Sequence, residues 1–476
     1  MTTARMQAAF LARDGRWDGR FVAGVTTTGV YCVASCKARK PRPEHLRLFA
    51  DPAAARAAGF RACRRCRPDD VVAGRDPDVD RIEAVLAALR AAPAEYPDVA
   101  TVARRFALGA TRLEALFRAH RHESVARELR RARVRAACAL LATTSRKLLA
   151  IGEDVGWSSA SALHAAFREF ANLGPDAYRR ALHDTRFELV LPAEFLVADA
   201  LDWLGRDPAS QVARRVDRRV AQALRLAGRP AALTIDLERR GLAICEVVAA
   251  PRVGPTGMAQ AIDVARGLLG LDADVSGFAR RLARLGPAHA WAAARPGLRP
   301  QRHAEPFVAV LAAIAHQQVH REFGSALQRA LVDEAGEPAP LGLRCPPTAG
   351  AVAALDGDAL RGLRFSRAKA DALLGVAARV AAGELDLAAL AEGSARRAAA
   401  ALSASRGVGP WTTGYVLMRG FGFQDCVPAG DVALADALRQ KLGLRERPDL
   451  AGLAAGLAPF APFRSQACLQ LANCVP

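Results

Sequence analysis

Four cysteines restrict what the start of this chain can fold into. Cys32 and Cys36 close one short loop and Cys63 and Cys66 another, in Y-C-V-A-S-C…C-R-R-C. Each pair can set two sulfurs at about 2.3 Å from one ion without straining the backbone, which is what a tetrahedral all-thiolate Zn2+ site needs. Residues 1–75 hold too little core to be stable alone, so the metal supplies much of the folding free energy. Such a site commonly does no more than hold a fold. It also keeps a bound sulfur deprotonated at neutral pH, and the thiolate is the nucleophilic form. Spacing alone leaves both readings open.

The rest of the chain is a different kind of polymer. At 476 residues the whole chain exceeds one core and predicts two to four domains, and 51% apolar residues make it globular. Lys+Arg 67 against Asp+Glu 48 gives +19, which favours a polyanionic partner such as nucleic acid, although an arginine-rich codon usage produces the same excess. Cys138, Cys245, Cys345, Cys426, Cys468 and Cys474 are scattered in apolar surroundings. That is the pattern of small buried hydrophobes in a reducing cytosol rather than of a disulfide framework, and it predicts a cytoplasmic protein. No signal peptide and no membrane-spanning apolar run is read.

After residue 75 the periodicity turns helical, with Pro93 and Pro97 as breaks. Two helix–turn–helix patterns follow within 76–183, with Gly109 and Gly156 at the turns and recognition helices beginning near Thr111 and Ser159. Arg112, Arg118, Ser161 and His164 are candidate DNA contacts; each is equally readable as a solvated surface residue. Near 186 the texture changes again. F-E-L-V-L-P, A-A-L-T-I-D-L and A-I-C-E-V-V-A read as strands and Q-V-A-R-R-V-D-R-R-V-A-Q-A-L as a helix, giving an α+β region at 186–300. Residues 301–476 read as helical almost throughout.

That last region carries R-G-V-G-P-W-T-T-G-Y at 406–415. Gly407 and Gly409 permit a tight turn and close backbone approach, and Pro410 suits the first turn of the next helix. The N–H groups exposed there can take a DNA phosphate without sequence preference. Downstream, Asp431 precedes an evident helix and reads either as a plain N-cap or as a carboxylate at a cleft.

Three resemblances gather these motifs. D-G-R-F-V-A-G-V-T-T-T-G-V-Y-C-V-A-S-C-K-A-R and A-A-A-R-A-A-G-F-R-A-C-R-R-C-R-P resemble the N-terminal domain of the Ada adaptive-response proteins. The resemblance implies that Cys32 takes a methyl group irreversibly from a methylated DNA phosphate, with Cys36, Cys63 and Cys66 completing the shell of one zinc ion. V-G-W-S-S-A-S-A-L-H-A-A-F-R-E-F with G-P-D-A-Y-R-R resembles AraC-type regulators. No Pro-Cys-His-Arg, the mark of O6-methylguanine repair, is present.

From about 186 onward the chain resembles the AlkA type of 3-methyladenine DNA glycosylase, in A-A-R-P-G-L-R-P, A-I-A-H-Q-Q-V-H, the hairpin and A-P-F-R-S-Q-A-C-L-Q-L-A. This implies Asp431 as the essential acid, Gln318 as a wedge into the gap left by a flipped base, and Trp411 and Tyr415 as base-pocket walls. Relatives that also cut the backbone carry a nucleophilic lysine where Trp411 stands, so a monofunctional enzyme is expected. Where relatives place a pocket tryptophan near the C-terminus, this chain has Ala472.

The fold class that follows is multi-domain and mostly α with α+β parts. It comprises a small zinc-bound α/β head, an all-α double helix-turn-helix domain, an α+β TBP-like domain and an all-α helix-hairpin-helix glycosylase domain. The expected function is a methylation-triggered transcriptional activator joined to an alkylbase glycosylase. The alternative is a regulator with a catalytically weak glycosylase-like module. Double-stranded DNA, alkylated or promoter, is the expected partner of a monomer, and RNA polymerase the further partner such an activator implies.

Overall fold

Strand pairing explains why two cysteine loops far apart in the chain meet. The computed structural model describes residues 2–471 and separates into two units, Met1–Ala84 and Val85–Pro476. In the first, four strands lie in the order Leu46–Phe49, Val22–Val25, Val30–Cys32, Arg61–Ala62. The last two run parallel, and the Cys63 N–H donates to the Tyr31 carbonyl (3.0 Å). Cys32 ends one strand just where Cys63 leaves the other. Strand alternation then splits the small core: Tyr31 and Val22 pack with Ala55 and Phe60 on one face, Cys32 and Ala23 with Phe10 and Phe21 on the other.

In the second unit the helix-turn-helix pair comprises Val99–Arg105 with Ala110–His120, and Leu148–Asp154 with Ala160–Ala171. Helix Val125–Thr143 joins them, capped by Ser124, whose Oγ accepts from the Arg127 N–H. Ser159 caps the second recognition helix in the same way. Gly156 makes its turn with φ +89°. Gly109 lies in the first turn as expected, at φ −70° as the N-cap of the next helix, and the left-handed residue of that turn is Ala107 (φ +51°).

The sheet that follows has five antiparallel strands, ordered Arg186–Val190, Leu242–Val248, Arg229–Asp236, Arg219–Leu226, Ala213–Val216. This corrects the helix expected at 211–224. Apolar residues there recur at helical spacing, but Asp217 (φ +51°) turns the chain and Arg219–Leu226 pairs along its whole length with Arg229–Asp236. An eight-residue ladder with a buried face outweighs the local pattern. Helix Pro255–Leu268 touches both this sheet and the helix-turn-helix helices, and Val134, Phe167 and Tyr178 share one continuous core with Leu189, Leu233 and Met258.

The remaining residues are helical from Pro306, with one addition to the expected all-helical pattern. Glu337–Ala339 and Leu343–Cys345 form a two-stranded ribbon, and the Cys345 thiol donates to the Leu224 carbonyl (3.2 Å). Among the described residues, no helix is long and apolar enough to cross a membrane. Cys245, Cys345, Cys426 and Cys468 are buried, Cys138 is half-buried, and Cys474 lies outside the described residues.

Candidate functional site

The Sγ atoms of Cys32, Cys36, Cys63 and Cys66 all lie within 4.8 Å of one another. A tetrahedron with Zn–S bonds of about 2.3 Å has edges of about 3.8 Å, so the cluster fits one ion with a small inward adjustment. Three of the sulfurs are on buried residues and Cys66 is partly exposed. Their crowding resists full ionisation. The hydrogen bond with Cys36 holds the Cys32 thiol far above its usual range, and the same bond pulls Cys36 down to about 2. A divalent cation removes that conflict by stabilising all four thiolates together. Lys40, which no sequence pattern singled out, stands close enough for its charge to act on Cys36 and Cys32. Its Nζ donates to the Ala34 carbonyl (2.9 Å) and sits 3.5 Å from the Phe10 ring centre.

The second candidate is Asp431, 8% exposed. It is a helix cap: Oδ1 accepts from the Leu434 N–H (2.8 Å) at the start of Val432–Leu442. Its other oxygen has a different partner, the Trp411 indole N–H, at 2.9 Å. Trp411 stacks on Tyr415, ring centres 5.5 Å apart and planes at 19°. One turn of helix Pro410–Tyr415 carries both rings on one side, as i and i+4 neighbours. The carboxylate is therefore fixed at both oxygens and tied to an aromatic stack.

Behind the stack lies a layer that sequence reasoning missed. His303 Nε2 and the Tyr415 hydroxyl are 3.0 Å apart. Burial holds His303 far below the ordinary histidine range, so the ring is neutral, and pushes the Tyr415 phenol up. His303 meets Trp203 edge to face (5.5 Å), and Trp203 lies between the guanidinium groups of Arg206 (4.0 Å) and Arg419 (3.9 Å). Burial lowers Arg419 to about 10. An arginine inside the apolar run V-L-M-R-G-F was the available signal for Arg419; His303 and Trp203 left none. A cavity of about 100 Å³ is walled by Trp203, Arg206, His303 and Tyr415, while Trp411 and Asp431 are not among its walls.

Gln318 is exposed at φ +52°, in the turn between helices Pro306–His316 and Arg321–Ala335. Its neighbour Gln317 anchors that turn to the hairpin, donating to the Gly407 carbonyl (3.0 Å) and the Thr412 hydroxyl (2.8 Å). Gly407 has φ +81°, and a Cβ there would stand 2.4 Å from that of Ala372, so only glycine fits. Gly409 faces open space and leaves its backbone approachable. The structure thus brings Gln318, Gly407, Trp411, Tyr415 and Asp431 into one linked region. Arg112, Ser161 and His164 are carried instead by the two recognition helices: Arg112 and Ser161 exposed, His164 half-buried. Arg118 bonds to Glu114 (3.0 Å). Ala472 lies outside the described residues.

Residues 5–69 match the family described as the metal binding domain of Ada, and residues 102–181 match a family of helix-turn-helix domains. Over 98% of its length the chain is 28% identical to the probable bifunctional transcriptional activator/DNA repair enzyme AlkA of Mycobacterium tuberculosis, spanning 95% of that protein. It is 32% identical, over 33% of its length and 55% of the relative's, to the putative DNA-3-methyladenine glycosylase YfjP of Bacillus subtilis. The solved 3-methyladenine DNA glycosylase of Archaeoglobus fulgidus shares the fold, with TM-score 0.52 at 19% identity over 60% of this chain and 96% of that one. Fold and sites define a DNA-binding protein with an Ada-type methyl-transfer domain and a DNA-glycosylase half. Its architecture is that of the bifunctional Ada/AlkA proteins, and its four clustered cysteines are the site of one Zn2+.

Proposed function

We propose that the chain answers DNA alkylation twice. Cys32 takes a methyl group from a methylated phosphate and so switches on a transcriptional activator, and the cleft at Asp431 excises alkylated bases such as 3-methyladenine. Bound zinc keeps the sulfurs deprotonated at neutral pH. The Cys32 sulfur bonds to the methyl carbon, the carbon–oxygen bond breaks, and the phosphate leaves as an ordinary diester anion. The new thioether carries no charge, so repulsion between head and DNA backbone falls and affinity for promoter DNA rises. Arg112, Ser161 and His164 then contact the promoter, and RNA polymerase is the partner the activated monomer serves.

In the cleft, Gln318 fills the gap left by the flipped base, while the hairpin at Gly407 and Gly409 holds a phosphate through its backbone. A cationic alkylated purine stacks well against the electron-rich rings of Trp411 and Tyr415. The Asp431 carboxylate stabilises the positive charge that grows on the sugar as the N-glycosidic bond breaks. Water completes the reaction at the sugar and leaves an abasic site. With Trp411 where a lysine nucleophile would stand, no Schiff base forms.

The observation that carries this reading is the 2.9 Å bond from Trp411 Nε1 to Asp431 Oδ2, which joins the acid to the aromatic stack. The test is release of bases from methylated duplex. Wild type is expected to free 3-methyladenine, and Asp431→Asn to do so about a hundredfold to a thousandfold more slowly. Equal rates for the two proteins would sink the excision reading. For the head, mass spectrometry after exposure to methylated DNA is expected to find one methyl group on Cys32; an unmodified Cys32 would leave the zinc site structural.

A further inference from the structure

A left-handed residue lies at or just past the end of each recognition helix, and each of these residues fastens its helix to the glycosylase half. After Ala160–Ala171 comes Asn172 (φ +59°), whose side-chain amide donates to the Val190 carbonyl (3.2 Å) and whose Oδ1 accepts from Arg266 Nε (3.0 Å). After Ala110–His120 comes the turn His120-Arg121-His122-Glu123, with His122 at φ +62°. These four polar residues are all buried, at 1%, 8%, 6% and 5% exposure. A run this polar is buried only where partners meet it; Glu123 pairs nearby with Arg131 and Arg127, while His120, Arg121 and His122 meet partners some 270 to 300 residues away.

Those partners belong to the two segments that carry the excision site. His120 Nδ1 meets the Ser394 hydroxyl at 2.7 Å, and Ser394 caps helix Ala395–Ser403. That nine-residue helix is the first arm of the hairpin, so Ser394 lies about 14 Å along its axis from the Gly407 turn. Arg121 donates to the carbonyls of Ala391 (3.2 Å) and Gly393 (2.6 Å), just before the cap. On the other side, His122 Nδ1 accepts from the Asp425 N–H (3.2 Å), and the His122 ring meets Phe423 edge to face (5.6 Å). Asp425 opens the stretch that runs through Cys426 and Val427 to Asp431. It is itself clamped by Arg464, which donates to both carboxylate oxygens at 2.7 Å. Burial keeps His122 neutral down to about pH 4, so its Nδ1 stays an acceptor.

We propose that the turn His120–Glu123 is a positioning element of the excision site, bridging the hairpin's first helix and the approach to Asp431 so that the gap between hairpin and carboxylate is set by the helix-turn-helix part. This rests on the excision reading given above. His120 and His122 touch neither base nor sugar; they act through Ser394 and Asp425.

The test uses the full chain with zinc. His122→Ala removes the acceptor and the side chain that tolerates the left-handed backbone; His122→Asn keeps an acceptor oxygen and that tolerance. In single-turnover release from methylated duplex, His122→Ala is expected to be about tenfold slower, with affinity for an abasic-site duplex unchanged within about twofold. His122→Asn should recover most of the rate. Ser394→Ala, approaching the joint from the other side, should slow release about threefold at unchanged affinity. Wild-type rates in His122→Ala, or a loss of rate and affinity together that His122→Asn does not repair, would overturn the proposal. If His122→Ala does not fold, the Ser394→Ala rate alone decides, a wild-type value overturning it. A wild-type protein that frees no base at all is a separate result: it ends the excision reading and this proposal with it.

Discussion

In the reading proposed above, the head and the region of Asp431 both offer an electron-rich group to electron-poor alkylated DNA, but they hold it in opposite ways. The head divides a small apolar core between two faces of a short sheet and relies on four sulfurs around one ion. The glycosylase half holds Asp431 by two hydrogen bonds inside a unit whose cores run through many helices. The difference suits the uses proposed above. A sulfur that is consumed once needs only a stable thiolate, which a metal supplies locally. A carboxylate that acts repeatedly needs fixed geometry, which only extensive packing supplies.

Removing the ion breaks the comparison most sharply. Chelation, or Cys63→Ser, is expected to unfold Met1–Ala84, since a structural zinc contributes on the order of 10 kcal/mol, while the thermal transition of Val85–Pro476 stays in place. Limited proteolysis of the chelated protein reads this directly; a head that still resists protease would show that its apolar packing suffices. Acid separates the two regions next. His122 is lowered to about 4 and His303 well below its usual range, both first by burial, so the folded chain holds them neutral while the unfolded chain protonates them below about pH 6.5. Their contribution is complete above that pH and is lost as pH falls toward 4, by up to about 1.4 kcal/mol per pH unit for each ring. Urea midpoints of the second unit at pH 7.5 and pH 5 should differ accordingly; equal midpoints would place the two rings in contact with water.

Smaller substitutions sharpen the contrast inside the second unit. Asp431→Ala removes the cap as well as the acid and should cost about 1 kcal/mol of stability, whereas Asp431→Asn still caps and should melt with wild type. Identical melting of the two would mean that Oδ1 contributes nothing to the helix. At the first helix-turn-helix turn, Ala107→Gly should raise stability by up to about 1 kcal/mol, because glycine occupies the left-handed position without strain. A thermal shift in either direction is readable there, and a fall would count against the turn as described.

Legibility differed from segment to segment. The second helix-turn-helix turn could be read from Gly156 because a left-handed position selects glycine. In the first, Gly109 marked the turn too, but as a cap, and the left-handed conformation of Ala107 left no signal. The stretch 211–224 misled: its apolar spacing suits a helix, and its neighbour Arg229–Asp236 makes it a strand. Around Asp431, Trp411, Tyr415 and the acid itself were nameable from the hairpin and the residues after it. His303, Trp203 and Arg206 were not, because nothing near them in the chain announces their surroundings.

By itself the amino-acid order determined the two short-spaced cysteine pairs, the glycine-bearing hairpin and the helical phasing around the two recognition helices, all of which depend on residues within a few positions of one another. The fold alone decided that Asp431 binds an indole, that Trp203 lies between two guanidinium groups, and that His120 and His122 find Ser394 and Asp425. A buried polar group is stable only with a partner. Where that partner is hundreds of residues distant, local propensity holds no trace of it.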